Sequence, residues 1–249
     1  MLTNQTITKL ETLGLTAMAA GVAEQLDNPA PYEELSFTDR LGLLVDKEAD
    51  ARDSKRIATR LKAAKLRYPA CVEDIDFRAP RGLDRSVVVA LAEARFVAAR
   101  QNVLITGATG CGKSYVACAL ANAAIRQGHT ALYLRTPRLV DNLAIGRADG
   151  RYARLLSQIA RVSLLVLDDF LISPASVEAS RDLLEVVEDR TELRSTIAVS
   201  QLPIDKWHPA LADPTVGDAL LDRLCHRAHR IAMKGASMRK RQAPLLREE

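Results

Sequence analysis

Val103-Leu-Ile-Thr-Gly107-Ala-Thr-Gly110-Cys-Gly112-Lys113-Ser114, followed by Tyr-Val-Ala-Cys-Ala-Leu-Ala, decides the reading of this chain. Residues 107–114 match G-x-x-x-x-G-K-[ST] in full. An apolar strand precedes the match, and a run of helix formers follows it. That context separates a phosphate-binding loop from a chance Gly-rich turn. The glycines let the backbone turn so that its N–H groups converge on a phosphate, and the opening of the helix adds favourable dipole charge there. The loop Gly107, Ala108, Thr109, Gly110, Cys111, Gly112, Lys113 and Ser114 is therefore the expected nucleotide-binding segment. Lys113 is expected to reach the β- and γ-phosphates, and Ser114 to offer its hydroxyl to Mg2+.

Downstream, Ser163-Leu-Leu-Val-Leu-Asp168-Asp169 places two acids after four apolar residues. A buried strand of this kind delivers its last residues to the carboxyl end of a parallel sheet, where ligands sit. Asp168 is the expected Mg2+ residue, and Asp169 the group that polarises the attacking water. An acidic pair after a strand is often only a helix cap; its position behind a complete phosphate loop gives it meaning. No Asn precedes a Lys, so the guanine-recognising Asn-Lys-x-Asp of GTPases is absent, as is Leu-Ser-Gly-Gly. ATP is thus the expected nucleotide.

The surrounding pattern fits that reading. Apolar strands are predicted at 103–106, 131–134, 164–167 and 196–199, with a weaker one at 230–233. Helices are predicted at 84–99, 113–127, 137–160 and 174–192. Strands alternating with helices mean a parallel sheet covered on both faces. The first 70 residues carry no strand-like run. They read as helices over 4–12 and 16–26, then a third that opens with a capping box at Ser36-Phe-Thr-Asp39. The expected domains are a helical DNA-binding and assembly part at 1–70, a joint at 71–82, and an ATPase domain at 83–249 with a basic tail.

The length of 249 residues and the 48% hydrophobic content are those of an ordinary globular chain. No run approaches a membrane span, and no secretion signal is read at the start, so a cytoplasmic location without membrane partners is expected. Cys71, Cys111, Cys118 and Cys225 form no CxxC pair and are read as reduced thiols.

Net charge is only +4, but basic residues cluster. Residues 52–67 hold seven Lys/Arg and one Asp, residues 135–163 hold six Arg against two Asp, and residues 223–241 hold seven Lys/Arg and no acid. Each cluster can be a solvated face or a phosphate-contacting surface. The candidate DNA contacts are Arg52, Lys55, Arg56, Arg60, Lys62, Arg147 and Arg151. Gln201, just past the fourth strand, is the candidate γ-phosphate or water contact, with Ser200 in reserve. Arg223 is a candidate arginine finger into a neighbour's nucleotide. Cys225, His226 and His229 are spaced like partial zinc ligands without an evident fourth.

The ordered set GATGCGKS, LLVLDDF, TIAVSQLPIDKWH and DRLCHRAHRI, behind a helical start containing LSFTDRLGLL, resembles the IstB-like ATPases. These are AAA+ helper proteins of insertion-sequence transposition, similar to the DnaC helicase loaders. The resemblance covers nearly the whole chain. It implies a P-loop AAA+ fold with sheet order 5-1-4-3-2, Asp169 in place of the usual glutamate, Gln201 at the sensor-1 position, and Arg223 as the trans-acting finger. It also implies Mg2+-dependent ATP hydrolysis, ATP-dependent homo-oligomers on double-stranded DNA, and a partner transposase. The stretch after the fifth strand is too short for a helical lid. Two other readings stay open: a loader acting on single strands, and a small-molecule phosphotransferase, which the absence of a lid disfavours.

Overall fold

The computed structural model describes residues 2–235 and Met238. The basic residues Arg239–Arg241 of the tail lie outside the described residues. The chain divides into two compact units, Met1–Thr59 and Arg60–Glu249.

The first unit contains α1 (Leu2–Thr12), α2 (Thr16–Asp27) and most of α3 (Phe37–Ala64), a helix that continues into the second unit. α3 opens at the expected box: the Asp39 amide donates to Ser36 Oγ at 3.2 Å, and that hydroxyl donates to Asp39 Oδ2 at 2.6 Å. Glu48 of α3 then caps α2, whose own start lacks a capping side chain. Its Oε2 accepts the amides of Ala17 at 3.0 Å and Met18 at 3.1 Å. These amides are among the orphan donors that every helix start must satisfy, and they hold the Glu48 carboxyl below the usual carboxylate range. Gly21 lets the two helices approach: a Cβ there would lie 2.7 Å from Leu44 Cδ2.

The second unit is a five-stranded parallel sheet of β1 (Val103–Gly107), β2 (Ala131–Arg135), β3 (Leu164–Asp168), β4 (Ser195–Ser200) and β5 (His229–Met233). Its order is β2-β3-β4-β1-β5, the expected order counted from the other edge. β3 and β4 are buried throughout, as their unbroken apolar runs require. The crossovers carry α4 (Arg85–Ala92), α5 (Arg95–Ala98), α6 (Lys113–Arg126), α7 (Thr136–Ala148), α8 (Tyr152–Arg161), α9 (Val177–Glu188) and α10 (Pro214–Cys225).

Two predicted helices are broken in the structure. The one over 84–99 is interrupted at Ala94, whose φ of 56° is left-handed, giving α4 and α5. The one over 137–160 is divided at Asp149-Gly150, where Gly150 has φ 79°. α10 was not predicted. It starts on a conventional signal, Asp213 accepting the amides of Thr215 and Val216 with Pro214 next in line.

On one side of the sheet, Leu104, Leu165, Leu167 and Ala198 join Phe170, Leu183, Trp207 and Leu220 in a single buried core. Trp207 is fully buried against Phe170, with ring centroids 4.9 Å apart, and its indole N–H donates to Leu202 O at 3.0 Å. This packing fixes the segment after β4 beside the segment after β3, and so fixes the strand ends that bear the polar residues.

Candidate nucleotide site

The loop between β1 and α6 has the conformation that its glycines permit. Gly107, Gly110 and Gly112 have φ of 147°, 84° and 98°, a region that other L-residues rarely enter. Gly107 also pairs with Met233 of β5, and a Cβ there would lie 2.1 Å from the Met233 carbonyl oxygen. The strand therefore cannot end in any larger residue. Lys113 is buried, and its Nζ donates to Ala108 O at 2.8 Å, so the ammonium lies within the curve of the loop.

Across the cleft stands the acidic end of β3. Ser114 Oγ donates to Asp168 Oδ1 at 3.0 Å. The other carboxylate oxygen, Oδ2, accepts the Tyr133 hydroxyl and lies 3.7 Å from Arg67 Nη1. Asp168 is 1% exposed, so these partners matter: a buried carboxylate without donors would be costly. Burial first, and the bond to Asp168 second, push the Tyr133 phenol above its ordinary range, so it stays a donor. Its bond to Tyr133 is the largest influence holding the Arg67 guanidinium charged.

Asp169 turns the chain out of β3 with φ 56°. Its Oδ2 accepts a hydrogen bond from Arg135 Nε at 2.9 Å and lies 2.9 Å from Nη2 of the same guanidinium. β2 and β3 run in register so that Arg135 pairs with Asp168 along the ladder, which puts the arginine at the strand end beside both acids.

β4 lies between β3 and β1, and its end supplies the third wall. Gln201 Oε1 accepts from Thr109 Oγ1 of the loop at 2.6 Å. The hydroxyl of Ser200 is engaged elsewhere, donating to Phe170 O at 2.7 Å and accepting the Leu202 amide at 3.1 Å. Gln201 therefore faces the cleft, while Ser200 ties two strand exits together.

The remaining candidates fall away from this cleft. Arg223 sits near the end of α10, where Asn102, just before β1, donates to its carbonyl oxygen at 3.3 Å. That is the starting end of the strands, opposite the chain's own phosphate loop. Its guanidinium pairs with Glu188 and donates to Ala219 O at 2.9 Å. Arg147 is held by the buried Asp182, by the Tyr152 hydroxyl at 3.0 Å, and over the Tyr152 ring at 4.5 Å. It thereby joins α7, α8 and α9. Arg151 pairs with Asp149 at 2.5 Å. In the first unit Arg52, Lys55 and Arg56 are exposed, although Arg52 bonds Glu48 at 2.8 Å and Arg56 bonds Asp53 at 3.0 Å. In the second unit Lys62 is exposed and Arg60 half-buried. His229 Nε2 bonds Gln101 Oε1 at 2.9 Å. Among the described residues no group of three or more His, Cys, Asp or Glu is placed to hold a metal, which leaves the zinc reading of Cys225, His226 and His229 without a ligand set.

Tyr133, Arg135 and Arg67 were not among the predicted site residues. The first two had a signal: once the sheet order puts β2 beside β3, the end of Leu-Tyr-Leu-Arg135 must lie next to Asp168.

The groups that converge here suit ATP. The loop offers backbone amides and a lysine for phosphates, and Ser114 with Asp168 offers the all-oxygen set that Mg2+ takes. A parallel sheet of this order with a phosphate loop after β1 and an acid pair after β3 defines a P-loop ATPase of the additional-strand class.

Comparison with known proteins places the chain more closely. The profile of the family described as IstB-like ATP binding protein matches residues 8–245, and the chain belongs to that family. A relative from Sinorhizobium fredii (strain NBRC 101917 / NGR234), named as insertion sequence ATP-binding protein y4pL, is 47% identical over 242 residues, 97% of this chain and 98% of its own length. The ATP-binding protein of insertion sequence IS1162 from Pseudomonas fluorescens is 48% identical over 204 residues, 82% of this chain and 88% of its own. Among solved structures, DnaI shares the fold at a TM-score of 0.58 and 22% identity, over 66% of this chain and 91% of its own. The DnaC helicase loader does so at 0.58 and 17%, over 69% and 100%. No helix of the described residues is long and apolar enough to cross a membrane.

Proposed function

We propose that this chain is the ATP-driven DNA-binding helper of an insertion sequence, which assembles on duplex DNA and there recruits or stimulates a transposase. The observation that carries the reading is the division of the catalytic groups between two ends of the sheet. The phosphate loop, Asp168, Asp169 and Gln201 gather at one end, whereas Arg223 stands at the other. A subunit built this way holds Arg223 away from its own phosphate loop, where it can serve a neighbour's nucleotide.

In this reading the loop amides and Lys113 bind the phosphates, and Ser114 and Asp168 hold Mg2+. The ion, when bound, neutralises charge on the phosphate oxygens and orients the γ-phosphoryl group. Asp169 accepts the proton of the attacking water at Oδ1, since both Arg135 contacts are to Oδ2. Gln201 orients that water or the γ-phosphate. Arg223 of one subunit, released from Glu188, stabilises charge on the phosphates bound by the next. The names of the relatives supply the insertion-sequence context. The exposed basic residues Lys55 and Lys62, with Arg52, Arg56 and Arg60 beside them on α3, are the proposed duplex contacts; Arg147 and Arg151 are engaged within the ATPase unit.

Binding of the intact protein to duplex and single-stranded DNA in the presence of ATP and Mg2+ tests this. Preference for duplex, weakening steeply with salt as phosphate contacts require, supports it. Preference for single strands would favour the loader reading.

A further inference from the structure

Arg81 lies in the joint ahead of the ATPase sheet, and no motif singled it out. It is 5% exposed. The backbone around it is stitched to the end of β5: its carbonyl oxygen accepts the Lys234 amide at 2.8 Å, and a Cβ on Gly82 would lie 3.3 Å from Ala232 O. The side chain runs from there to the phosphate loop. Nη1 donates to Cys111 O at 3.2 Å, and a Cβ on Gly112 would lie 2.6 Å from it. Nη2 donates to Asp76 O at 2.7 Å. Nε is buried and has no hydrogen-bond partner.

Both acceptors are neutral carbonyls. Among the described residues no carboxylate forms an ion pair with Arg81. A buried guanidinium without a counter-charge is unfavourable, and a bound anion would relieve that cost. Arg190 shows the alternative. It too is buried, but Nε and both terminal nitrogens are satisfied by Thr196 Oγ1 and the carbonyls of Ile159, Val162 and Ser195. Arg81 instead leaves Nε unsatisfied, and the residue lines the nucleotide cleft with Lys113, Ser114 and Tyr115.

We propose that Arg81 is a nucleotide-binding residue, its guanidinium serving as counter-charge to the α,β-diphosphate that ATP and ADP share. This deepens the ATPase reading and rests on it. Lys113 and Ser114 are assigned to the β- and γ-phosphates and Mg2+, so the charge at Arg81 serves retention of nucleotide rather than the chemical step.

The test is equilibrium binding of ATP and ADP to the full chain, without Mg2+, by displacement of a fluorescent ADP analogue. Arg81→Gln removes the charge but keeps donors for the Cys111 and Asp76 carbonyls. It should weaken ATP and ADP by a similar factor, about tenfold or more, as expected for loss of a charge-assisted bond. Its melting temperature without nucleotide should remain near that of the wild type. Arg81→Lys, which restores the charge, should recover part of the affinity. Wild-type affinity in Arg81→Gln would overturn the proposal. So would equal losses in the Gln and Lys variants, which would make Arg81 a prop for the loop. Should Arg81→Gln fail to fold, Arg81→His decides, because its charge is set by pH: relative to the wild type, weaker binding of both nucleotides at about pH 8.5 than at about pH 5.5 supports the proposal, and no pH-dependent difference from the wild type overturns it. If the wild type itself binds no ATP, the ATPase reading falls instead, so the two failures are distinct.

Discussion

Ser114 and Asp168, 54 residues apart in the chain, meet in a 3.0 Å hydrogen bond between the start of α6 and the end of β3. Each is the polar tip of a motif legible alone, and the sheet order brings them together. Asp168→Asn should leave Mg2+-free nucleotide binding intact and weaken the Mg2+ dependence of binding and turnover by at least about 10–100-fold, the range seen for disturbed metal sites. Nucleotide titrations with and without Mg2+ separate the two. Equal affinity gains from Mg2+ in variant and wild type would remove Asp168 from the metal site.

Tyr133 donates to the other oxygen of the same carboxylate. Its expected role is to orient Asp168. Tyr133→Phe should therefore raise the Mg2+ concentration required for half-maximal turnover by about tenfold, the size of one bond to a charged group. Turnover at saturating Mg2+ should stay close to the wild-type rate. A fall in the saturated rate with unchanged Mg2+ dependence would contradict a positioning role.

Arg147 carries the main polar link among α7, α8 and α9. Arg147→Ala leaves the carboxylate of Asp182, 2% exposed, with only the Tyr152 hydroxyl. The cost should be about 1–3 kcal/mol, as for a buried acceptor deprived of its partner, read from urea unfolding. Stability unchanged, with a loss of DNA affinity instead, would return Arg147 to the nucleic-acid surface.

Arg223 can be tested by mixing subunits. Arg223→Ala should bind ATP normally and lose about 10³-fold in DNA-stimulated turnover, the lower range for arginine fingers. Lys113→Ala should be inactive for lack of nucleotide. If the finger acts across an interface, the mixture should regain activity, because intact loops then face intact arginines. An inactive mixture, or wild-type turnover by Arg223→Ala alone, would refute the assignment.

The sheet and the phosphate loop were legible because short apolar runs, glycine spacing and a Lys-Ser pair are local features. Residues whose roles come from packing between distant segments were not. Ala94 breaks a helix in a stretch, Leu91-Ala-Glu-Ala94, that contains no glycine or proline to announce it. Arg147 and Arg151 looked like free charge, and their acidic partners appear only when α9 and the turn before α8 are in place. In the sequence Gln201 is the candidate and Ser200 its reserve, with nothing local to separate them; burial of Trp207 against Phe170 sets the exit of β4 so that the serine faces a backbone carbonyl and the glutamine faces the loop. Arg81 was illegible, since its proposed role depends on the fold laying its side chain along the phosphate loop, with Nη1 on Cys111 O and Nε left without a partner.

In the proposed function the ATP site is completed between subunits gathered on DNA. ATP turnover by the purified chain, measured with and without duplex DNA at one moderate salt concentration, tests it most directly. Strong stimulation by duplex, lost on Arg223→Ala, is the predicted result; turnover indifferent to DNA would contradict the claim.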